Sequence, residues 1–158
     1  MANQTAESDV VVLRTIPFFT GFSDEHLKLI ASSAESRTLP DKLLLYDEGQ
    51  LLHSAYVIMS GTLKAEHKVK GTGKIVRRDI EAGVILGERA LILDTRAAES
   101  VRVETRARVL QIRKLTFRKL LQDNTEIAKI LRSRMARHVL QVAEDVRHIG
   151  ERLKAIDG

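Results

Sequence analysis

The feature that most constrains the fold is a region of short alternating runs, from about Arg37 to Lys114. In one run Leu63 and Ala65 alternate with charged residues, and Val101 and Val103 do so in another. Alternation with a period of two is the pattern of a half-buried strand, and many short strands between turn signals predict a small antiparallel barrel or roll. The turn signals are the glycines that divide the region, namely Gly49, Gly61, Gly71, Gly73, Gly83 and Gly87.

Helical patterns lie on both sides of this region. Ser23 is a candidate N-cap, and residues 27–34 have apolar side chains at helical spacing. A short helix is predicted over 115–123, followed by a long one from about residue 125. We therefore predict a mainly β fold, an antiparallel, jelly-roll-like β-roll with an N-terminal helix and C-terminal helices, the last one long. Residues 1–124 would form the roll with its short flanking helices, and residues 125–158 a long lid or dimerisation helix.

The long C-terminal helix carries a heptad pattern. Its apolar residues follow one another at spacings of 4, 3, 4, 3, 4 and 3 residues, which is typical of a coiled-coil contact. We expect this contact to make a homodimer, although the same residues could instead fold back onto the roll. The apolar positions are Met135, Val139, Val142, Val146, Ile149, Leu153 and Ile156.

Composition excludes several classes of protein. The chain has 158 residues with no cysteine, so disulfides and thiol chemistry are excluded, and we expect a cytoplasmic protein. No long uncharged apolar run is present, so we expect no membrane partner. The histidines lack metal-ligand spacing and no pairing of nucleophile with base is present, so we expect neither a metal nor an enzyme. The net charge of +5 comes from interspersed acids and bases and is interpreted as a mixed surface.

The stretch from Leu86 to Val101 carries residues suited to an anionic ligand. Gly87 would allow close backbone approach, Glu88 could accept from a ribose hydroxyl, and the residues after it could form a short helical turn. Arg96 offers the planar, bidentate donors that suit a phosphate. These residue types in this order fit a cyclic nucleotide, which presents one phosphodiester, a ribose hydroxyl and a flat base.

Four motifs in order resemble the cyclic-nucleotide-binding family of catabolite-activator-type regulators, regulatory subunits of cAMP-dependent kinase and cyclic-nucleotide-gated channels. They are IPFFTGFS at 16–23, LYDEG at 45–49, YVIMSG at 56–61 and GERALI at 87–92. The resemblance implies a β-roll whose last helix acts as a movable lid. It also implies a regulatory signalling protein, with cAMP or cGMP as the ligand. The site residues that it implies are Gly87, Glu88, Arg89, Ala90, Arg96, Ala97 and Ala98.

In this family the stretch that corresponds to residues 86–101 is the phosphate-binding cassette, and it reads G-E-x-A-L and then P-R-A-A-T-V. The second half of the cassette in this chain departs from that pattern. Aligned without gaps, Arg96 falls on the family proline, Ala97 on the phosphate-binding arginine, and Glu99 on a small residue beside the phosphate. In that register the site lacks its cation and gains a negative charge. In a register shifted by one residue, with a bulge before Ser100, Arg96 meets the phosphate. Ala97 would then follow it, where alanine goes with cAMP.

Two hypotheses of function remain open, and a third, a transcription regulator, stays open only if the sequence is a fragment of a longer chain. The first is a regulatory module that binds cAMP, or cGMP, and couples binding to its C-terminal helix. The second is a degenerate domain that has lost its ligand and acts through dimerisation or an unidentified protein partner. In the second case we expect Arg96 or Glu99 to form an ion pair inside the pocket, for Arg96 with Glu88 or Glu99. Nucleic acid is not an expected partner, since the family's DNA-binding members place a helix-turn-helix after the long helix and this sequence ends at Gly158.

Overall fold

The computed structural model describes residues 2–134 of the chain. It divides the chain into two compact units, residues 1–120 and residues 121–158. In the first unit, helices α1 (Ala2–Arg14) and α2 (Asp24–Ser33) precede the strands, with a 3₁₀ turn at Pro17–Phe19 between them. Among the described helices, none has the length and apolar character that crossing a membrane would require.

Six strands form one antiparallel sheet, as the alternating sequence predicts. The two longest strands, β3 and β6, pair along most of their length, and each of the other strands pairs with one of them. The roll is therefore built around one long two-stranded ladder. The strands are β1 (Glu35–Leu39), β2 (Leu44–Tyr46), β3 (Ser54–Lys68), β4 (Ile75–Ile80), β5 (Ile85–Leu86) and β6 (Ser100–Arg113).

The predicted strand faces are confirmed. Leu63 and Ala65 on β3 are buried, as are Val101 and Val103 on β6, while Glu66 is exposed. The inward side chains of the strands meet in a single apolar cluster. Burial of such side chains contributes about 25 cal/mol for each Å² removed from water, so this cluster accounts for much of the folding free energy.

Helix α2 begins where the sequence predicts it to begin. The Ser23 hydroxyl accepts from the His26 backbone N–H at 3.2 Å, and His26 Nδ1 accepts from the Ser23 N–H at 3.3 Å. This reciprocal capping satisfies two donors that the helix itself cannot pair. Leu27 and Ile30 are buried on the inner face of the helix.

Helix α1 was not predicted from the sequence, which led us to expect a single helix before the roll. Val10 and Leu13 are buried one helical turn apart. Arg108 on β6 donates two hydrogen bonds to the Asp9 carboxylate, at 2.9 and 3.0 Å. These hydrogen bonds raise the pKa of the Arg108 guanidinium. The helix is thus held by a contact between residues far apart in the chain.

Helix α3 (Lys114–Asp123) follows β6 directly and buries Phe117. In the second unit a further helix starts at residue 125 and continues to residue 134, the last one described. The break at Asn124 is where the sequence predicts the long helix to begin. The heptad positions, from Met135 onward, lie outside the described residues, so the lid and the dimer contact stay predictions.

The ladder between β3 and β6 is irregular around Gly61. Its register shifts between Ile58 and Leu63, and Gly61 has a φ of +87°. A Cβ at this position would lie 2.4 Å from the Arg106 carbonyl oxygen and 2.6 Å from Ala107 Cα. Only glycine fits this close approach of two backbones at a positive φ.

We predict that Gly61→Ala destabilises the domain by about 3 kcal/mol, because backbone overlap adds to the cost of the left-handed conformation. Urea denaturation followed by circular dichroism measures this effect. Gly71→Ala is the matched control, since Gly71 has the same φ of +87° but nothing within 4 Å of an added Cβ. The control should cost only about 1 kcal/mol, and equal costs at the two positions would contradict the role given to the close approach.

Candidate functional site

The first half of the cassette is a short turn at the end of β5. Gly87 adopts a left-handed conformation (φ 72°, ψ 25°), and a 3₁₀ helix, Glu88–Leu91, follows it. A Cβ on Gly87 would lie 3.1 Å from the Ser54 carbonyl oxygen, so the backbone passes tightly against β3. Ala90 and Leu91 anchor the turn by their burial, while Glu88 stays half-buried.

The second half of the cassette is held by the turn after β2. Arg96 pairs with Leu51 as an isolated β-bridge. Ala97 donates its N–H to the Gln50 carbonyl, and its own carbonyl accepts from the Gly49 N–H, both at 2.8 Å. These backbone bonds fix the direction in which residues 95–98 run, before β6 begins at Ser100.

The turn is also tied to the first residue of β6. The Ser100 hydroxyl accepts from the Glu48 N–H at 2.8 Å and lies 2.5 Å from the Asp47 carboxylate, to which it donates. Glu48 in turn contacts His67 Nδ1 at 2.6 Å. The LYDEG motif at 45–49 therefore acts as a brace that positions the cassette.

A cavity of about 390 Å³ lies between the two halves of the cassette and strand β4. Its volume is within the range of small-molecule sites in proteins, about 300–1,000 Å³. Charged and apolar groups share its wall: Tyr46, Leu52, Arg78, Val84, Ile85, Leu86, Gly87, Glu88, Arg89, Thr95, Arg96, Ala97, Ala98 and Glu99.

Six of the seven residues singled out from the sequence line this cavity, and Ala90 does not. Ala90 is fully buried, and its N–H donates to the Gly87 carbonyl at 2.9 Å. Because that N–H is already bonded within the turn, Ala90 stabilises the turn and does not contact the cavity. Arg89 is exposed at the rim.

Arg96 does not form the ion pair with Glu88 or Glu99 that a degenerate site predicts, whereas Glu99 does form an ion pair in this cavity, with Arg78. The Arg96 guanidinium donates to the Gly49 carbonyl at 3.0 Å, and the side chain is exposed at the cavity rim. Ala97 is buried beside it, in the wall. The cassette thus presents a small apolar residue to the interior and its arginine to the edge.

Sequence reasoning missed Arg78. This arginine lies on β4 opposite Ala65, and cross-strand partners share a face of the sheet, which here is the inner one. Its alternation with the buried Ile80 on the same strand is the signal that could have found it.

Arg78 forms a bidentate ion pair with Glu99. Its Nε and Nη2 atoms donate to the two Glu99 carboxylate oxygens at 2.9 and 2.7 Å. These hydrogen bonds hold the pKa of Glu99 below its ordinary value and raise that of Arg78, so both groups are charged at neutral pH. The cavity wall carries three arginines, Arg78, Arg89 and Arg96, against two glutamates, Glu88 and Glu99.

Tyr46 lies close to this ion pair. Burial, with a further contribution from the negative charge of Glu99, raises the pKa of the Tyr46 phenol to about 12. The phenol therefore stays neutral well above physiological pH, and it lines the cavity. No group of three or more acidic or histidine side chains within residues 2–134 is arranged to hold a metal ion.

The comparisons with known proteins agree with this architecture. The sequence profile of the cyclic nucleotide-binding domain matches residues 36–124, and the chain belongs to that family. A solved cyclic nucleotide-binding-like protein from Brucella abortus is 34% identical, covers 72% of this chain and 97% of its own, and superposes with a TM-score of 0.65. The N-terminal domain of a transcriptional regulator from Streptomyces coelicolor shares the fold at 21% identity (85% and 94% coverage, TM-score 0.77).

Two relatives in sequence are longer than this chain, which spans less than two thirds of each. The cAMP-activated global transcriptional regulator CRP of Salmonella typhimurium is 26% identical over 78% of this chain and 60% of its own length. A potassium channel of Arabidopsis thaliana is 23% identical over 81% of this chain, which spans only 15% of the channel. The regulatory domain of Toxoplasma gondii protein kinase A, solved with cAMP, shares the fold at 17% identity (84% and 51% coverage, TM-score 0.66).

We predict that Glu99→Gln lowers the Tyr46 pKa from about 12, but not to the ordinary value of 10.0, because burial persists. Ultraviolet pH titration of the phenolate in a Tyr56→Phe background isolates Tyr46, since the chain has only 2 tyrosines. Glu66→Gln is the control, because Glu66 pairs with the exposed Arg77 and should not affect Tyr46. An unchanged Tyr46 titration in Glu99→Gln would show that the two groups are not coupled.

The sign of the linked stability change follows from the same pKa. The pKa of Tyr46 in the folded protein lies above that of an unfolded tyrosine. The contribution of Tyr46 to the free energy of unfolding is therefore fully present below pH 10.0 and is lost as the pH rises through about 12.

Proposed function

We propose that this domain is a regulatory module that binds a cyclic nucleotide, cAMP before cGMP, in the cavity of the cassette. The observation that carries the proposal is the cavity itself. It places the half-buried Glu88, the guanidinium of Arg96 and an apolar wall around one space, in a chain of the cyclic nucleotide-binding domain family. The cAMP in the solved Toxoplasma domain, which shares the fold, supports the choice of ligand.

Each part of the ligand has a counterpart in this cavity. The Glu88 carboxylate would accept from the ribose hydroxyl, and Gly87 lets the cassette backbone lie close against β3 at this point. The apolar wall would contact the base through Leu52, Val84 and Ile85. Such a mixture of apolar lining and few polar groups is typical of small-molecule sites.

Arg96 would bind the phosphate at the cavity rim, beside Ala97 and Ala98. Its guanidinium donates to the neutral Gly49 carbonyl, and a charged phosphate is a stronger acceptor for a guanidinium. An arginine side chain is long enough to compensate for a displacement of one residue along the cassette.

A second candidate function is supported by Glu99. A carboxylate already occupies the cavity, and Ala97 stands where the ungapped alignment has the family arginine. A domain of this kind would bind no nucleotide and would act through a protein partner. Calorimetry separates the two candidates, since only the first gives heat with cAMP.

We further propose that the domain signals through its long C-terminal helix, which would also form a homodimer. The support is the heptad spacing from Met135 to Ile156 in the sequence. Ligand binding would act on this helix if the nucleotide binds its two arrangements with different affinity.

For the ligand, we predict that calorimetry detects cAMP binding and that Arg96→Ala weakens it by about tenfold or more, through loss of a charge-assisted hydrogen bond. Arg102→Ala is the matched control. Arg102 is also exposed and also donates to a backbone carbonyl, that of Lys42 at 2.7 Å, but it does not line the cavity. Absence of heat at millimolar cAMP and cGMP, or equal affinity in Arg96→Ala, would contradict this assignment.

For the dimer, we predict that Val142→Asp in the full chain converts a dimer to a monomer, because a charge is placed in the apolar contact. Light scattering measures the mass. Gln141→Asp adds the same charge at a neighbouring position outside the heptad pattern and should leave the dimer intact. A mass that is unchanged by Val142→Asp would exclude this helix as the dimerising element.

A further inference from the structure

We infer that Arg78 is a second phosphate-binding residue and that Glu99 is an internal anion which the ligand displaces from it. The inference rests on the proposed function, since it takes the ligand to be a cyclic phosphodiester. It adds to Arg96 a second cation from outside the cassette, because Arg78 lies on strand β4.

Arg78 has the geometry that a phosphate requires. Its guanidinium lines the cavity, and its side chain remains 51% exposed, so a ligand can reach it. The two parallel hydrogen bonds to Glu99, at 2.9 and 2.7 Å, use the same fork of donors that would bind two phosphate oxygens.

Glu99 lies on the segment that would face the phosphate. It is two residues from Ala97, where the ungapped alignment has the family arginine, and both residues line the same cavity. A carboxylate and a phosphodiester each carry one negative charge on two oxygens. Replacing one by the other at Arg78 therefore preserves both the charge balance and the hydrogen-bond count of the guanidinium.

Exchange is favoured by the partial exposure of the pair. An ion pair at a partly exposed site contributes little net free energy, so breaking it costs little. The Glu99 side chain is 26% exposed. The residue lies directly before β6, at the end of the cassette. The cost of the exchange would lower the affinity for nucleotide, and the requirement for a two-oxygen anion would exclude neutral nucleosides.

The test is calorimetry of the full chain with cAMP as the probe. We expect Glu99→Gln to bind about fivefold more tightly than the unsubstituted chain and Arg78→Ala about tenfold more weakly, the equivalents of about 1 and about 1.4 kcal/mol. In the double variant the gain from Glu99→Gln should vanish, because the released cation is no longer present. A gain that persists without Arg78 would mean that Glu99 merely repels the ligand, and it would overturn the exchange.

The neighbouring ion pair provides matched controls. Arg77 Nε donates to Glu66 Oε1 at 3.0 Å between β4 and β3, but neither residue lines the cavity. Arg77→Ala and Glu66→Gln should therefore leave cAMP affinity unchanged. Arg78→Lys keeps the charge but loses the bidentate fork, and we expect intermediate affinity from it even if Arg78→Ala folds poorly.

The outcomes separate the inference from the function on which it rests. If Arg96→Ala weakens cAMP binding while the Arg78 and Glu99 variants do not change it, the inference is wrong and the proposed function stands. If the unsubstituted chain gives no heat, Glu99→Gln does, and the double variant again does not, Glu99 is the competing anion on Arg78 and the inference is supported. If no variant binds cAMP or cGMP, both are overturned.

Discussion

The close approach of β3 and β6 at Gly61 is the constraint on which the rest of this domain depends. The backbones of the two strands meet at Gly61 and Ala107 with no space for a side chain on the first. The ladder shifts register there and then resumes regular pairing, with Ala65 opposite Val101 and Glu66 opposite Ser100. Because β4 and β5 pair with β3, this one register decides where both sides of the cavity lie. The start of β6 at Ser100 determines in turn where the cassette must end.

Much of this fold could be predicted because its signals are local. The alternation at Leu63 and Ala65 determines the inner face of β3, and Ser23 with His26 begins α2, without reference to any distant residue. Helix α1 could not be predicted in that way. The apolar run at Val10 has no clear period, and the helix is held by the contact of Asp9 with Arg108, which is 99 residues away in sequence. Such a contact exists only once the roll has formed.

The same division applies to the candidate site. Gly87 and Glu88 could be predicted as candidate site residues because the glycine of the tight turn and the carboxylate after it are consecutive in the sequence. Glu99 was predicted to be a negative charge beside the phosphate position and, in a degenerate site, to form an ion pair in the pocket, but the only partner considered for it was Arg96. The actual partner, Arg78, reaches the cavity through the pairing of β4 with β3, a register that no local pattern states. The one local indication is that Arg78 lies two residues before the buried Ile80 on β4, which places both side chains on the same face of the strand.

The loss of an arginine from a motif is therefore not the loss of a cation from a site. A sequence profile compares residues in order, whereas an anion responds to charge in space, and here β4 delivers a guanidinium to the cavity that the cassette lines. The Arg78–Glu99 pair is too exposed for its net stabilisation to be more than about 1 kcal/mol, so stability alone gives little reason for its presence. Its bidentate geometry is better explained by the cavity into which it faces. A fork of donors held by one carboxylate is already in the arrangement that a second two-oxygen anion would use, and only the occupant of the fork would need to change.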